Sequence, residues 1–147
     1  MSGFVVRPIS AVQVRELRHA LLRPFEPPEQ IVYFGDGEPD TLHAGAFDGE
    51  AFVGIASVCR EPMAGSQDAE QWRLRGMATV PAVRGRGAGR ALLAACFDHI
   101  RARGGTLLWC NARVVALGFY TRLGFAAQGE EFEIVPIGPH YVMTRRL

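Results

Sequence analysis

Residues 76–90 read GMATVPAVRGRGAGR. The run begins small and apolar, as a strand does, stops at Pro81, and then sets Gly85, Gly87 and Gly89 among Arg84, Arg86 and Arg90 before a stretch of helix formers. Closely spaced glycines let a backbone turn with its N–H groups facing inward, and they admit a ligand at close range. A helix that follows points unpaired N–H groups and about +0.5 of a charge at the same loop. The stretch therefore suits a phosphate-bearing ligand, although a plain glycine-rich turn would use the same residues.

Three nucleotide motifs compete for this loop. A Walker A loop requires Lys, and all sixteen basic residues of the chain are Arg. A dinucleotide fingerprint requires Gly or Ala at its sixth position, where counting from Gly85 gives Arg90 and counting from Gly87 gives Leu92. What remains is R-x-x-G-x-G over Arg84, Gly87 and Gly89.

Outward from the loop the elements alternate. Upstream, FVVRPI (4–9) reads as a short edge strand and Ser10 as the cap of a helix over 11–22. Residues 23–40 form a loop with four prolines. TLHAGAF and AFVGIASVCR flank the turn Asp48-Gly49, a hairpin signal, and QWRLRGMATV makes the third strand of this group. Downstream, Leu92, Leu93, Cys96, Phe97 and Ile100 make one stripe of a helix over 88–103. TLLWC is a buried strand, 112–123 a helix, FAAQGEEFEIV a hairpin candidate around Gly129, and HYVMTRRL the last strand. The order β-α-(loop)-β-β-β-α-β-α-β-β predicts one α/β layer domain on a mixed sheet.

Bulk properties agree. A chain of 147 residues with 48% apolar residues buries a core as one domain. No apolar run approaches the ~20 residues of a membrane span. The N-terminus carries Arg7 and Pro8 where a secretory leader needs a continuous apolar run, so the expected compartment is the cytoplasm. Three cysteines without a C-x-x-C pair predict neither a disulfide framework nor a zinc site. A net charge of +1 gives no drive toward nucleic acid or a membrane.

Four segments, in this order, carry a family resemblance: MATV-P-x-x-RGRGAG-x-ALL, LLWCNAR, ALGFYTRLGF and IGPHYVMTRRL. Together they resemble the GNAT superfamily of acyl-CoA-dependent N-acyltransferases, in a branch of uncharacterised proteins with a GPHYVM-like closing strand. The resemblance covers most of the chain. It implies a GNAT-like single domain over residues 1–147, with a mixed central β-sheet flanked by helices, and acetyl-CoA as co-substrate without a metal. It further implies that the strand before the loop splays from its neighbour, and that the pantetheine arm adds to the backbone of Met77, Ala78 and Val80. The amides of Arg84, Gly85, Arg86, Gly87, Ala88, Gly89 and Arg90 would hold the pyrophosphate. Asn111 and Arg113 would flank the pantetheine. Tyr120 matches the family tyrosine that protonates the departing thiolate, a role suited to a hydroxyl that is neutral near pH 7.

The general base stays open among His43, His140, Glu133 and a water. The implied reaction is transfer of an acetyl group from acetyl-CoA to a primary amine, by direct attack through a tetrahedral intermediate. The acceptor is a small-molecule amine or a peptide. The competing function is a non-catalytic acyl-CoA sensor, against which Tyr120 counts. A nucleic-acid partner would need a larger basic excess. Glu26, Glu29, Asp36, Glu38 and Asp40 lie in the loop expected over the acceptor side, where they would draw in a cation or simply be solvated. Monomer and homodimer both fit the fold.

Overall fold

The computed structural model describes residues 3–147. Seven strands form one sheet: β1 (Phe4–Pro8), β2 (Leu42–Asp48), β3 (Ala51–Arg60), β4 (Gln71–Thr79), β5 (Leu107–Arg113), β6 (Ala126–Ile134) and β7 (Gly138–Arg146). Their order across the sheet is β1-β2-β3-β4-β5-β7-β6. All neighbours run antiparallel except β4 and β5. That parallel pair needs a crossover, and helix α2 (Ala88–Arg101) supplies it.

The stripe read from the sequence is the buried face of α2. Leu92, Leu93, Cys96 and Ile100 are fully enclosed against Ala44, Val58, Trp72 and Leu108. Each large apolar side chain so buried contributes about 1.5–3 kcal/mol. The other face of the sheet is covered by α1 (Ala11–Leu17), and Ser10 closes the capping box with Gln13 that sets its start.

Four expectations are revised. The helix expected over 11–22 is α-helical only to Leu17 and continues as one wide turn over Arg18–Leu22. The change falls at Arg18, whose guanidinium is buried between the helix and the sheet. The helix expected over 112–123 is shorter, a 3₁₀ turn at Val114–Ala116 followed by α3 (Leu117–Arg122). Strand β5 runs on to Arg113, so Asn111 sits inside the strand, opposite Val142, rather than after it. FAAQGEEFEIV is not a hairpin. It is the single strand β6, in which Gly129 (φ 75°) lies within an irregularity between Gln128 and Phe132. The turn that reverses the chain is 135–137.

Candidate active site

The site begins with a parting of strands. β4 pairs with β5 only where Gln71, Trp72 and Arg73 meet Leu107, Leu108 and Trp109. Beyond Arg75 the ladder of β4 against β3 slips by one residue, and Gly76 takes φ 61°. A bulge of this kind bends its strand and increases its twist. Meanwhile β5 stays paired with β7 as far as Arg113. The two strands diverge, and a cleft of about 410 Å³ opens between them.

Of the glycine loop, Arg84 lines this cleft, and Gly85, Arg86, Gly87, Ala88, Gly89 and Arg90 follow it in the chain without being part of the lining. Gly87 caps α2 with φ 92°, and Gly85 has φ 79°. A Cβ built on either would meet no atom within 4 Å, so space is open at both. The amides of Gly87, Ala88, Gly89 and Arg90 find no protein acceptor among the described residues. A cradle of free donors with room above it fits a pyrophosphate. Gly89 has a different reason to be glycine: its Cβ would lie 2.9 Å from the Phe119 ring, so it is there for helix packing. Arg84 lines the cleft and Arg90 is exposed, while the Arg86 guanidinium is engaged by Asp48 at 3.4 Å.

Met77, Ala78, Asn111 and Arg113 line the cleft, as does Thr79, which sequence reasoning missed. Val80 does not, and its amide is bonded to the Val53 carbonyl at 2.9 Å, so it leaves the set expected to bind pantetheine. Strand alternation turns the backbone of Ala78 toward β3 in the same way and leaves that of Thr79 facing the gap. Thr79 lies beyond the bulge, where Ile55 faces Ala78 and Gly54 faces Thr79, and only this shifted register sets the phase of its amide.

Tyr120 lines the cleft from α3, 9% exposed, with its hydroxyl 3.8 Å from the Met77 sulfur. The rings of Phe119 and Phe125 hold it edge-on at 5.2 Å. Burial pushes the phenol far above its ordinary value, so it remains a proton donor. Burial likewise pushes the Cys110 thiol up to about 12, which leaves no thiolate there at neutral pH. Cys59, Cys96 and Cys110 are all buried free thiols.

The three candidate bases part company. His140 is buried, lines the cleft, and bonds the Gly138 carbonyl through Nδ1 at 2.7 Å. That bond makes Nδ1 the protonated nitrogen and leaves the Nε2 lone pair without a partner among the described residues. Its place on β7 is directly opposite Arg113 of β5. His43 lies outside the cleft lining with both ring nitrogens engaged, Nδ1 by the Ser57 hydroxyl at 2.7 Å and Nε2 by the Asp36 carbonyl at 3.0 Å. Glu133 is exposed on the edge strand β6, on the face opposite Ile134, and it is Ile134 that lines the cleft.

A buried polar network was not foreseen. Arg18, fully enclosed, donates to both Asp36 carboxylate oxygens at 2.6 and 2.9 Å and to Ser57 at 2.9 Å. Burial alone would raise the Asp36 carboxyl, but the Arg18 guanidinium and the Tyr33 amide hold it below the usual range. Residues 18, 36, 43 and 57 come from four separate segments, so no local pattern announces them.

Comparison with known proteins follows the same lines. Residues 11–125 match the model of the acetyltransferase (GNAT) family. An uncharacterized N-acetyltransferase, YitI of Bacillus subtilis (strain 168), is 36% identical over 142 residues, which is 97% of this chain and 95% of that one. Among solved structures, a GCN5-related N-acetyltransferase from Kribbella flavida superposes with a TM-score of 0.74 at 22% identity, over 99% of this chain and 98% of that one. Escherichia coli ElaA gives 0.76 at 20%, over 99% of both chains. An aminoglycoside 6'-N-acetyltransferase complexed with coenzyme A gives 0.74 at 13%, over 97% of this chain and 96% of that one. The match of sequence along nearly the whole chain, on a sheet parted in this way, makes the protein a member of the GNAT acetyltransferase family.

Proposed function

We propose that the protein transfers an acetyl group from acetyl-CoA directly to a primary amine. The observation that carries this is the cleft itself. Arg84, the donor Tyr120 and the acceptor His140 share its lining, and the free amides of residues 87–90 follow Arg84 in the chain. Acetyl-CoA supplies an activated acyl group as a thioester. The amides of residues 87–90 and the Arg84 guanidinium hold the diphosphate by charge-assisted hydrogen bonds. The open edge of β4 at Thr79, with Asn111 across the gap, receives the pantetheine amides. Any N–H on that edge facing the thioester carbonyl also stabilises the oxyanion that develops there.

His140 Nε2 takes the proton that an ammonium must lose before it can attack. Tyr120 Oη gives a proton to the leaving sulfur. Two groups of opposite proton preference in one cleft divide the acid and base work between them.

The test is calorimetric titration with acetyl-CoA, beside ATP and NAD, followed by thiol-release assays on amines. Selective binding of acetyl-CoA supports the assignment, and indifference among the three ligands sinks it. Gly87→Glu should weaken acetyl-CoA binding on the order of 100-fold or more. It forces a side chain into a left-handed position and places a carboxylate where the diphosphate sits. Unchanged affinity in the folded variant would remove the loop from the site. His140→Asn should cost on the order of tenfold in kcat near neutral pH. This is less than a full general-base effect, because an amine can also shed its proton to water. The loss should shrink at alkaline pH, and a loss independent of pH would assign His140 to packing.

A further inference from the structure

We infer that the amine acceptor also carries a carboxylate, and that Arg75 receives it. This rests on the acetyltransferase assignment above and narrows it to a substrate class, an amino carboxylate.

The cleft is lined by five arginines, Arg23, Arg73, Arg75, Arg84 and Arg113, and by no Asp or Glu. The acids of the 23–40 loop do not reach it. Asp36 is turned inward onto Arg18, Asp40 pairs with Arg60, Glu29 and Glu38 are exposed, and Glu26 is half-buried but outside the lining. Of the two readings of these acids, a cation trap and a solvated loop, the placement favours the second. A polyamine would meet guanidinium groups and no counter-charge.

The arginines are not equivalent. Arg84 belongs to the glycine loop. Arg73 is neutralised by Glu61 at 3.2 Å and lies over the Trp109 ring at 4.7 Å. Arg23, Arg75 and Arg113 have no side-chain hydrogen-bond or carboxylate partner among the described residues, and of these three it is Arg75 that stands on β4 against the Tyr33 ring. Its guanidinium is 4.2 Å from the Tyr33 ring centroid, and Arg18 lies 4.1 Å from the same centroid. Arg18, Arg73 and Arg75 thus share two carboxylates, Asp36 and Glu61, which leaves one positive charge unbalanced in a half-buried setting. A half-buried cation without a partner is costly, and a planar fork of donors matches a carboxylate better than any other small anion group except phosphate.

Placement agrees with an acceptor site. Trp72 and Leu74 of β4 face the core under α2, so Arg73 and Arg75 face the opposite side. On β5, Leu108, Cys110 and Ala112 face that same core, which puts Trp109, Asn111 and Arg113 on the side of Arg75. His140, paired with Arg113, shares it. An amino carboxylate held by Arg75 presents its amine within the same face of the cleft as the His140 base.

The experiment uses the full chain with acetyl-CoA and reads thiol release. The acceptors are the twenty standard L-amino acids, each beside its carboxamide, with spermidine as a polycation and aminoethyl phosphate as the competing anion. At least one free amino acid should exceed its carboxamide on the order of 10- to 100-fold in kcat/KM, the range of a hydrogen bond to a charged group. Arg75→Met should erase that preference by raising KM for the amino acid while the carboxamide changes little. Arg75→Lys, which keeps the charge and loses the fork, should fall between. If Arg75→Met fails to fold, calorimetry of wild-type protein with N-acetyl amino acids against their amides decides the same point. Equal or better use of carboxamides, spermidine or aminoethyl phosphate overturns the inference. Acetyl-CoA binding with no amino acid accepted overturns it too. A protein that binds no acetyl-CoA instead fails the assignment on which it rests.

Discussion

Asp36→Asn should lower the stability of the folded protein by about 3–5 kcal/mol, the loss expected when one partner of a buried ion pair is removed and the other charge stays buried. Arg18 is fully enclosed and makes two short bonds to this carboxylate, whose oxygen also accepts the Tyr33 amide at 2.8 Å. The amide of Asn keeps one acceptor and loses the charge, so a guanidinium is left in the interior without compensation. Adding Arg18→Met should restore part of the stability, because it removes that orphaned charge, and the pair should therefore be far from additive. The sign of the pH effect follows from the depressed Asp36 carboxyl. Its contribution is fully present above the unfolded value near ~3.9 and is lost as pH falls through the lower folded value. Urea unfolding at pH 7 and on an acid series measures both. A loss below about 1 kcal/mol would mean that the pair is no stronger than a surface contact, and an unchanged acid limb in Asp36→Asn would refute the assignment of that limb to this carboxyl.

What the sequence disclosed and what it withheld follow from the range of the interactions. The conformation of the glycine loop was legible because Gly85 and Gly87 announce their left-handed backbone within a few residues. The place of Tyr120 in the cleft was legible through the motif around it. The α2 stripe and the Asp48-Gly49 hairpin were legible for the same local reason. Asp36 was not. In sequence it is one of five loop acids, and only the fold shows that it answers Arg18. His43 looked as able a base as His140, since both begin strands, and only the Ser57 hydroxyl and the Asp36 carbonyl show that its nitrogens are occupied. Glu133 lies on the exposed face of β6 opposite Ile134, and the bulge near Gly129 makes that face uncountable from sequence. The bulge on β4 had the same effect on Val80 and Thr79: a slip of one residue exchanges which amide faces the gap.

Tyr120→Phe should lower kcat by about 100-fold, toward the small end of the range for general acid catalysis, and should leave acetyl-CoA binding nearly unchanged. The low end applies because a thiolate is already a tolerable leaving group, with a thiol pKa near ~8.5. Among the described residues the hydroxyl has only the weak sulfur contact with Met77, so its loss should cost the fold no more than about 1 kcal/mol. The enclosing rings of Phe119 and Phe125 accept Phe in the same volume. Burial keeps the phenol protonated at every working pH, so no alkaline fall in kcat should trace to Tyr120, and the wild-type and Phe profiles should have the same shape. The decisive variable is the leaving group. A residue that only packs the core gives a deficit, if any, that ignores the thiol. A residue that protonates the departing sulfur gives a deficit that shrinks as the thiol of the acyl donor becomes more acidic, because a weaker base needs the proton less. Acetyl thioesters of graded thiol acidity, compared at saturating acceptor, separate the two. A slope of zero across that series, or full activity in Tyr120→Phe with acetyl-CoA, would return Tyr120 to the core and leave the proton to come from water.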